Sequence, residues 1–190
     1  GAATNAAITA STLNMTIDNS SITGNSAGGI RATSGTLTIT DTTIANNARA
    51  LAGAGISLDS GTINLIGSTV SSNVSQSLGG GVAIGSGTVN LTNTTISGNE
   101  TPTNGGAGIS GQTANVNAFN STISGNYAAT SGGGIRTGGT ITLNNSIVLG
   151  NDDEVGLPET SGTLVNTNSI VGDGSVTAAD VFASTYALAS

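Results

Sequence analysis

Between the corners of this chain every second residue is aliphatic. In Thr36-Leu37-Thr38-Ile39-Thr40, Thr88-Val89-Asn90-Leu91-Thr92 and Thr140-Ile141-Thr142-Leu143-Asn144 the alternation has the period of a strand buried on one face. No window carries helical spacing, so the chain reads as all-β. A slower rhythm overlies the fast one. A Gly followed by an aliphatic residue returns at Gly29-Ile30, Gly55-Ile56, Gly81-Val82, Gly108-Ile109 and Gly134-Ile135, in steps of 26, 26, 27 and 26 residues. Units that short cannot close a core alone and bury their apolar face only on the units above and below, which is the definition of a solenoid.

Other columns keep step. Asn25, Asn47, Asn73, Asn99, Asn126 and Asn151 mark one corner, each preceded by Gly24, Asn46, Ser72, Gly98, Gly125 or Gly150. Gly and Asn tolerate positive φ best, so these pairs predict a tight turn on every rung. A second bend runs through Asn19, Asp41, Gly67, Asn93, Asn120 and Asn145, followed by Ser20, Thr42, Ser68, Thr94, Ser121 and Ser146. Two aliphatic columns flank it, such as Leu91 and Ile96. A rung thus reads as two adjoining short strands, for instance 36–40 and 43–45, then the Asn corner, a loop, and a third strand opening at Gly29-Ile30 or Gly55-Ile56. Parallel crossovers are right-handed, so the expected fold is a right-handed parallel β-helix, about 26 residues per rung with three short strands. Residues 1–172 are expected to form the repeat domain, with 173–190 as its exit or capping segment.

The phrases Asn93-Thr-Thr-Ile-Ser-Gly-Asn99, Asn120-Ser-Thr-Ile-Ser-Gly-Asn126 and Gly132-Gly-Gly-Ile135 resemble bacterial right-handed β-helix repeats of polymorphic outer-membrane proteins and related secreted surface proteins. Asn145-Ser-Ile-Val-Leu-Gly-Asn151 and Asn168-Ser-Ile-Val171 are similar to that family's closing turns, and Ala179-Asp-Val-Phe182 to its exit segment. The chain departs from the family's Phe-x-x-Asn signature, which only Phe119 approaches. The resemblance implies a surface or secreted repeat protein. It implies no particular activity, since the same fold serves adhesins, fibres and carbohydrate-active enzymes.

Composition narrows the field. There are three cations against ten acids, no His and no Cys in 190 residues, for a net charge of −7. Nucleic-acid binding lacks the basic stripe that would neutralise phosphates. Disulfides and thiolate metal sites are excluded outright. No apolar run is long enough for a membrane helix. The start at Gly1 suggests a processed product or an excised segment, and the low content of cations suits exposure to tryptic proteases outside the cell.

The candidate residues follow from these columns. The Asn column from Asn25 to Asn151 reads as a structural hydrogen-bonded ladder that fixes register, and the Ser/Thr column from Ser20 to Ser146 likewise. Thr36, Thr38, Thr62, Asn64, Thr88, Asn90, Thr140 and Thr142 would form a flat outward grid, with Asn14, Thr16, Asn115 and Asn117 in the same columns. That grid resembles the Thr-rich faces of β-solenoid antifreeze proteins, although Thr also simply suits exposed strands. Ile66, Phe119 and Tyr127 are candidate lateral contacts. The run Asp152-Asp153-Glu154 with nearby Glu159 is either a solvated acidic turn or a weak calcium loop. Catalysis finds little purchase. No acids pair on adjacent rungs of one sheet, and Arg31 and Arg136 stand four rungs apart, about 19 Å, too far to meet at one substrate atom.

The expected function is therefore a non-catalytic structural repeat of a bacterial surface or extracellular protein, an adhesin stalk or a fibre subunit without cofactor or metal. Its partners would be further copies of itself, head to tail or laterally, or a host or matrix surface. The alternatives are ice binding through the grid and glycan binding or processing. The first rung near Leu13 shows no covering helix, whereas Val176, Val181, Phe182, Tyr186 and Leu188 could fold back over the last.

Overall fold

A computed structural model describes residues 5–153 and 159–172. The chain is an all-β parallel solenoid in which each strand pairs with its counterpart one rung away, in three sheets. The widest holds Ile8–Asp18, Ile30–Thr40, Ile56–Ile66, Val82–Thr92, then Ile109–Gly111 with Asn115–Phe119, Ile135–Asn144 and Thr160–Thr167. The second stacks the short strands from Ser21–Thr23 to Ile170–Val171. The third stacks Ala48–Arg49, Val74–Ser75, Glu100–Thr101, Tyr127–Ala128 and Asp152–Asp153.

The rung differs from the expected one in a single respect. No separate strand opens at Gly29-Ile30 or Gly55-Ile56; that stretch runs on into the alternating segment as one strand of 11 residues. The joint is a glycine. Gly35, Gly61 and Gly87 lie mid-strand with φ of 115°, 127° and 115°. A Cβ there would overlap the carbonyl oxygens of Leu13, Gly35 and Gly61 on the rung below, so the strand bends without losing its ladder only where that atom is absent. In the rung of residues 109–119 the matching position is Ala114, and the strand divides on either side of it. The rung's third strand instead follows the Asn corner directly and has only two residues.

Both bends behave as the residue types dictate. Asn19, Asp41, Gly67, Asn93, Asn120 and Asn145 have φ between 43° and 57°, and Gly24, Asn46, Ser72, Gly98, Gly125 and Gly150 between 54° and 71°. Between the bends the aliphatic columns point inward. Leu37, Ile63, Val89, Val116 and Ile141 stack in register, as do Ile44, Val70, Ile96, Ile123 and Val148, all at 0–1% exposure. Each such side chain contributes about 1.5–3 kcal/mol through its burial. At the last rung the pattern loosens. Leu164 continues the Ile141 column yet is 40% exposed, and Asn166 takes the place of an aliphatic beside Leu143. The expected fold-back of the residues from Val176 to Leu188 lies outside the described residues.

Candidate functional site

The Asn column faces the interior, and its geometry repeats with little variation. Asn47, Asn73, Asn99 and Asn126 are fully buried. In each, the side-chain oxygen accepts from the backbone N–H and from the Nδ2 of the Asn one rung earlier. For Asn99 Oδ1 these donors are Asn73 N at 3.1 Å and Asn73 Nδ2 at 2.9 Å. The Asn99 Nδ2 then donates onward to Asn126 Oδ1 at 2.9 Å and back to the Val70 carbonyl at 3.0 Å. No hydrogen or lone pair needed for the stack is left over, which is what burial of an amide requires.

This ladder explains the Gly column that announces each rung. A Cβ on Gly55 would lie 2.5 Å from the Gly81 carbonyl oxygen and 3.1 Å from Asn73 Nδ2. At Gly81 the same atom would meet Gly108 O at 2.7 Å and Asn99 Nδ2 at 3.0 Å. The glycines give room to the amides, so the two most regular columns of the sequence are one device.

The ladder has an end that sequence reasoning missed. Glu159 is buried at 1% exposure and sits where the next Asn would stand. Its Oε2 accepts from Asn151 N at 2.9 Å and Asn151 Nδ2 at 2.6 Å, and its Oε1 accepts from Gly150 N at 2.8 Å. A carboxylate has acceptors only, so it satisfies the last donors without presenting donors of its own. Burial pushes its pKa above the ordinary carboxyl range and Asp152 adds to this, against the lowering effect of the N–H groups of Asn151 and Gly150. Glu159 is therefore turned inward, away from any shared calcium site with the acidic run, of which Glu154 lies outside the described residues. Among the described residues no three acids cluster in a way that would hold a metal ion. Nothing in the spacing of Glu159 signals its place, because it follows Asn151 by eight residues and not by the step of the Asn column.

The Ser/Thr column is a second internal ladder. Thr42 N donates to Ser68 Oγ at 3.1 Å and Thr94 N to Ser121 Oγ at 3.2 Å, while each hydroxyl closes onto the carbonyl two residues back. Its bonds form two runs, Ser20 to Thr42 to Ser68 and Thr94 through Ser121 and Ser146 to Ser169.

The outward grid occupies the second half of the wide sheet. Thr36, Thr62, Thr88, Asn115 and Thr140 are in register, and so are Thr38, Asn64, Asn90, Asn117 and Thr142. The amides of the second column are engaged with one another. Asn117 Nδ2 donates to Asn90 Oδ1 and Asn90 Nδ2 to Asn64 Oδ1, both at 2.9 Å, and Asn64 Nδ2 donates to Thr38 Oγ1 at 3.2 Å. The adjoining outward column reads Asp18, Thr40, Ile66, Thr92, Phe119 and Asn144. Ile66 and Phe119 are exposed there, at 39% and 47%, and stand two rungs apart. Tyr127 is half-buried on the third sheet, between Glu100 and Asp152.

Against known families, a model described as a right-handed beta helix region matches residues 3–96. No match was found among curated proteins, and none among solved structures.

Proposed function

We propose that this chain is a non-catalytic structural repeat of a bacterial surface or secreted protein, working as an adhesin stalk or as the subunit of an extracellular fibre. A β-helix is consistent with a structural or binding repeat protein. The observation that supports the structural reading most is the unbroken interior. From Asn25 to Glu159 one hydrogen-bonded ladder passes through every rung, flanked by aliphatic stacks, so the shaft resists bending and local opening. The carboxylates are dispersed: Asp41 at a bend, Asp59 on the wide sheet, and Glu100 and Asp152 two rungs apart with Tyr127 between them. The extracellular assignment rests on the resemblance and on a chain of 190 residues with no Cys and three cations.

The ice-binding reading has less support, because a flat lattice of hydroxyls needs equal side chains in neighbouring columns. Here Asp18, Ile66 and Phe119 interrupt the surface beside the grid. A fibre or stalk predicts straight rods. Electron microscopy and sedimentation of the chain at neutral pH test it: rods that join end to end, or single rods that bind a cell or matrix surface, uphold the reading. Single rods that neither join nor adhere to bacterial or matrix surfaces refute it.

A further inference from the structure

The outward column Asp18, Thr40, Ile66, Thr92, Phe119, Asn144, Thr167 runs in register through seven rungs and has Thr92 at its centre. Ile66 and Phe119 flank that centre one rung to either side and are its large apolar members, 39% and 47% exposed. Beside Phe119 the surface dips into a shallow hollow lined by Leu91, Thr92, Ala118 and Asn144. The acids are placed unequally. Asp18 in this column and Asp41 at the adjoining bend belong to the first two rungs, and the five later rungs carry no charge in either position. The neighbouring outward column has its amides bonded to one another from Asn117 to Thr38, which lowers the cost of covering them.

We propose that this face joins a second copy of the chain, face to face with the rods antiparallel, about a twofold axis that crosses both sheets at Thr92. An axis laid along the strand direction sets the rungs against one another in reverse order. Ile66 then meets the partner's Phe119, Phe119 meets the partner's Ile66, and Thr92 meets the partner's Thr92. Such a contact is isologous, so each unlike pair is made twice, and Ile66 enters the hollow beside the partner's Phe119. The equal spacing of Ile66 and Phe119 about Thr92 is what a self-complementary strip requires, and an unrelated partner requires nothing of the kind. Charge selects the orientation. With the rods antiparallel, Asp18 faces the partner's Thr167 and Asp41 the partner's Asn145. With the rods parallel, each acid would face its own copy, on a chain whose net charge is already −7. The face covers six rung steps of about 4.8 Å by five residues of about 3.3 Å, roughly 500 Å² on each copy and about 1,000 Å² in all. That is the lower limit of a specific interface, so the dimer is weak, and it closes at two rather than growing. Joining end to end is a separate contact, and the lateral one needs neither end of the rod.

Sedimentation equilibrium of the full chain from about 10 µM to about 1 mM tests this. A monomer–dimer equilibrium is expected, weakened at least about tenfold by Ile66→Glu alone and by Phe119→Lys alone. Both side chains are exposed, so the two variants should keep the parent's circular dichroism and thermal midpoint. The decisive arm mixes the variants in equal amounts. Antiparallel pairing sets the introduced carboxylate of one against the introduced ammonium of the other and leaves the second Ile–Phe pair intact, so the mixture dimerises more tightly than either variant alone, and the gain fades with salt. Parallel rods would gain nothing. The proposal is overturned by a chain that stays monomeric throughout, which would leave the face to a partner of other chemistry, by association indifferent to both substitutions, or by a mixture no tighter than its components.

Discussion

Asn99→Ala is the sharpest probe of what holds the rod together. The substitution deletes an oxygen that accepts from Asn73 N and Asn73 Nδ2, and an amide that donates to Val70 O and Asn126 Oδ1. The neighbours are affected unequally. Asn126 Oδ1 keeps the backbone N–H of residue 99, and Asn73 Nδ2 keeps the Ile44 carbonyl. Asn73 N–H keeps nothing and is buried. One orphaned backbone donor costs about 1–3 kcal/mol, and the second unpaired amide hydrogen with the small cavity brings the total to about 3–5 kcal/mol. Against a domain stability of about 5–15 kcal/mol that is a large fraction. Asn25→Ala, at the ladder's half-buried start, leaves Asn47 Oδ1 still bonded to the backbone N–H of residue 25 and should cost under about 1 kcal/mol. Asn99→Asp retains the acceptor but sets a second oxygen against Val70 O and Asn126 Oδ1, so it should be at least as damaging as Ala. Urea unfolding of the three variants with the parent's slope held in common measures these differences. Equal losses at positions 25 and 99 would refute the view that the ladder's interior bonds, rather than the amide's mere presence, stabilise the rungs.

Two further outcomes are expected. Gly81→Ala, although it changes neither φ nor charge, forces the Asn99 amide and the Gly108 carbonyl apart and should lower stability by more than the roughly 1 kcal/mol a typical point substitution costs; a neutral effect in thermal unfolding would show that the rungs have slack. Glu159 has a folded-state pKa above its unfolded value, so the folded chain holds that proton more tightly and the contribution is lost as pH rises from the ordinary carboxyl range through the folded value. Relative to Glu159→Gln, the parent should therefore lose stability with rising pH across that window in paired denaturation curves, and a parent that gains instead contradicts the dominance of burial over the Asn151 and Gly150 donors.

The repeat was legible because its signals are strong residue by residue. Asn, Asp and Gly at both bends occupy left-handed backbone that few other types accept, and the aliphatic columns between them have period two. The strand joint was not legible, since Gly35, Gly61 and Gly87 read as breakers in a linear pattern. Only the carbonyl of the rung below reveals that the missing Cβ permits continuity. The third sheet escaped for a plainer reason: two residues such as Val74–Ser75 are too few to show a period. Glu159 escaped because it stands eight residues after Asn151, not a rung's step away, so no column of the sequence predicts it.

The bonds from one inner Asn to the next all run one way: the earlier rung gives the hydrogen, the later one receives it. Each rung therefore presents the same unmet valence above and the same filled valence below, like a word that can be followed by any copy of itself. A further unit of about 26 residues spliced between two existing ones would find its partners already in place on both sides. Glu159 is the full stop in this grammar, since its carboxylate accepts the donors of Asn151 and has none of its own to pass on. Rod length is thus free to be reset by duplication or deletion of whole units between Asn25 and Asn151, with the carboxylate closing the Asn ladder in every case.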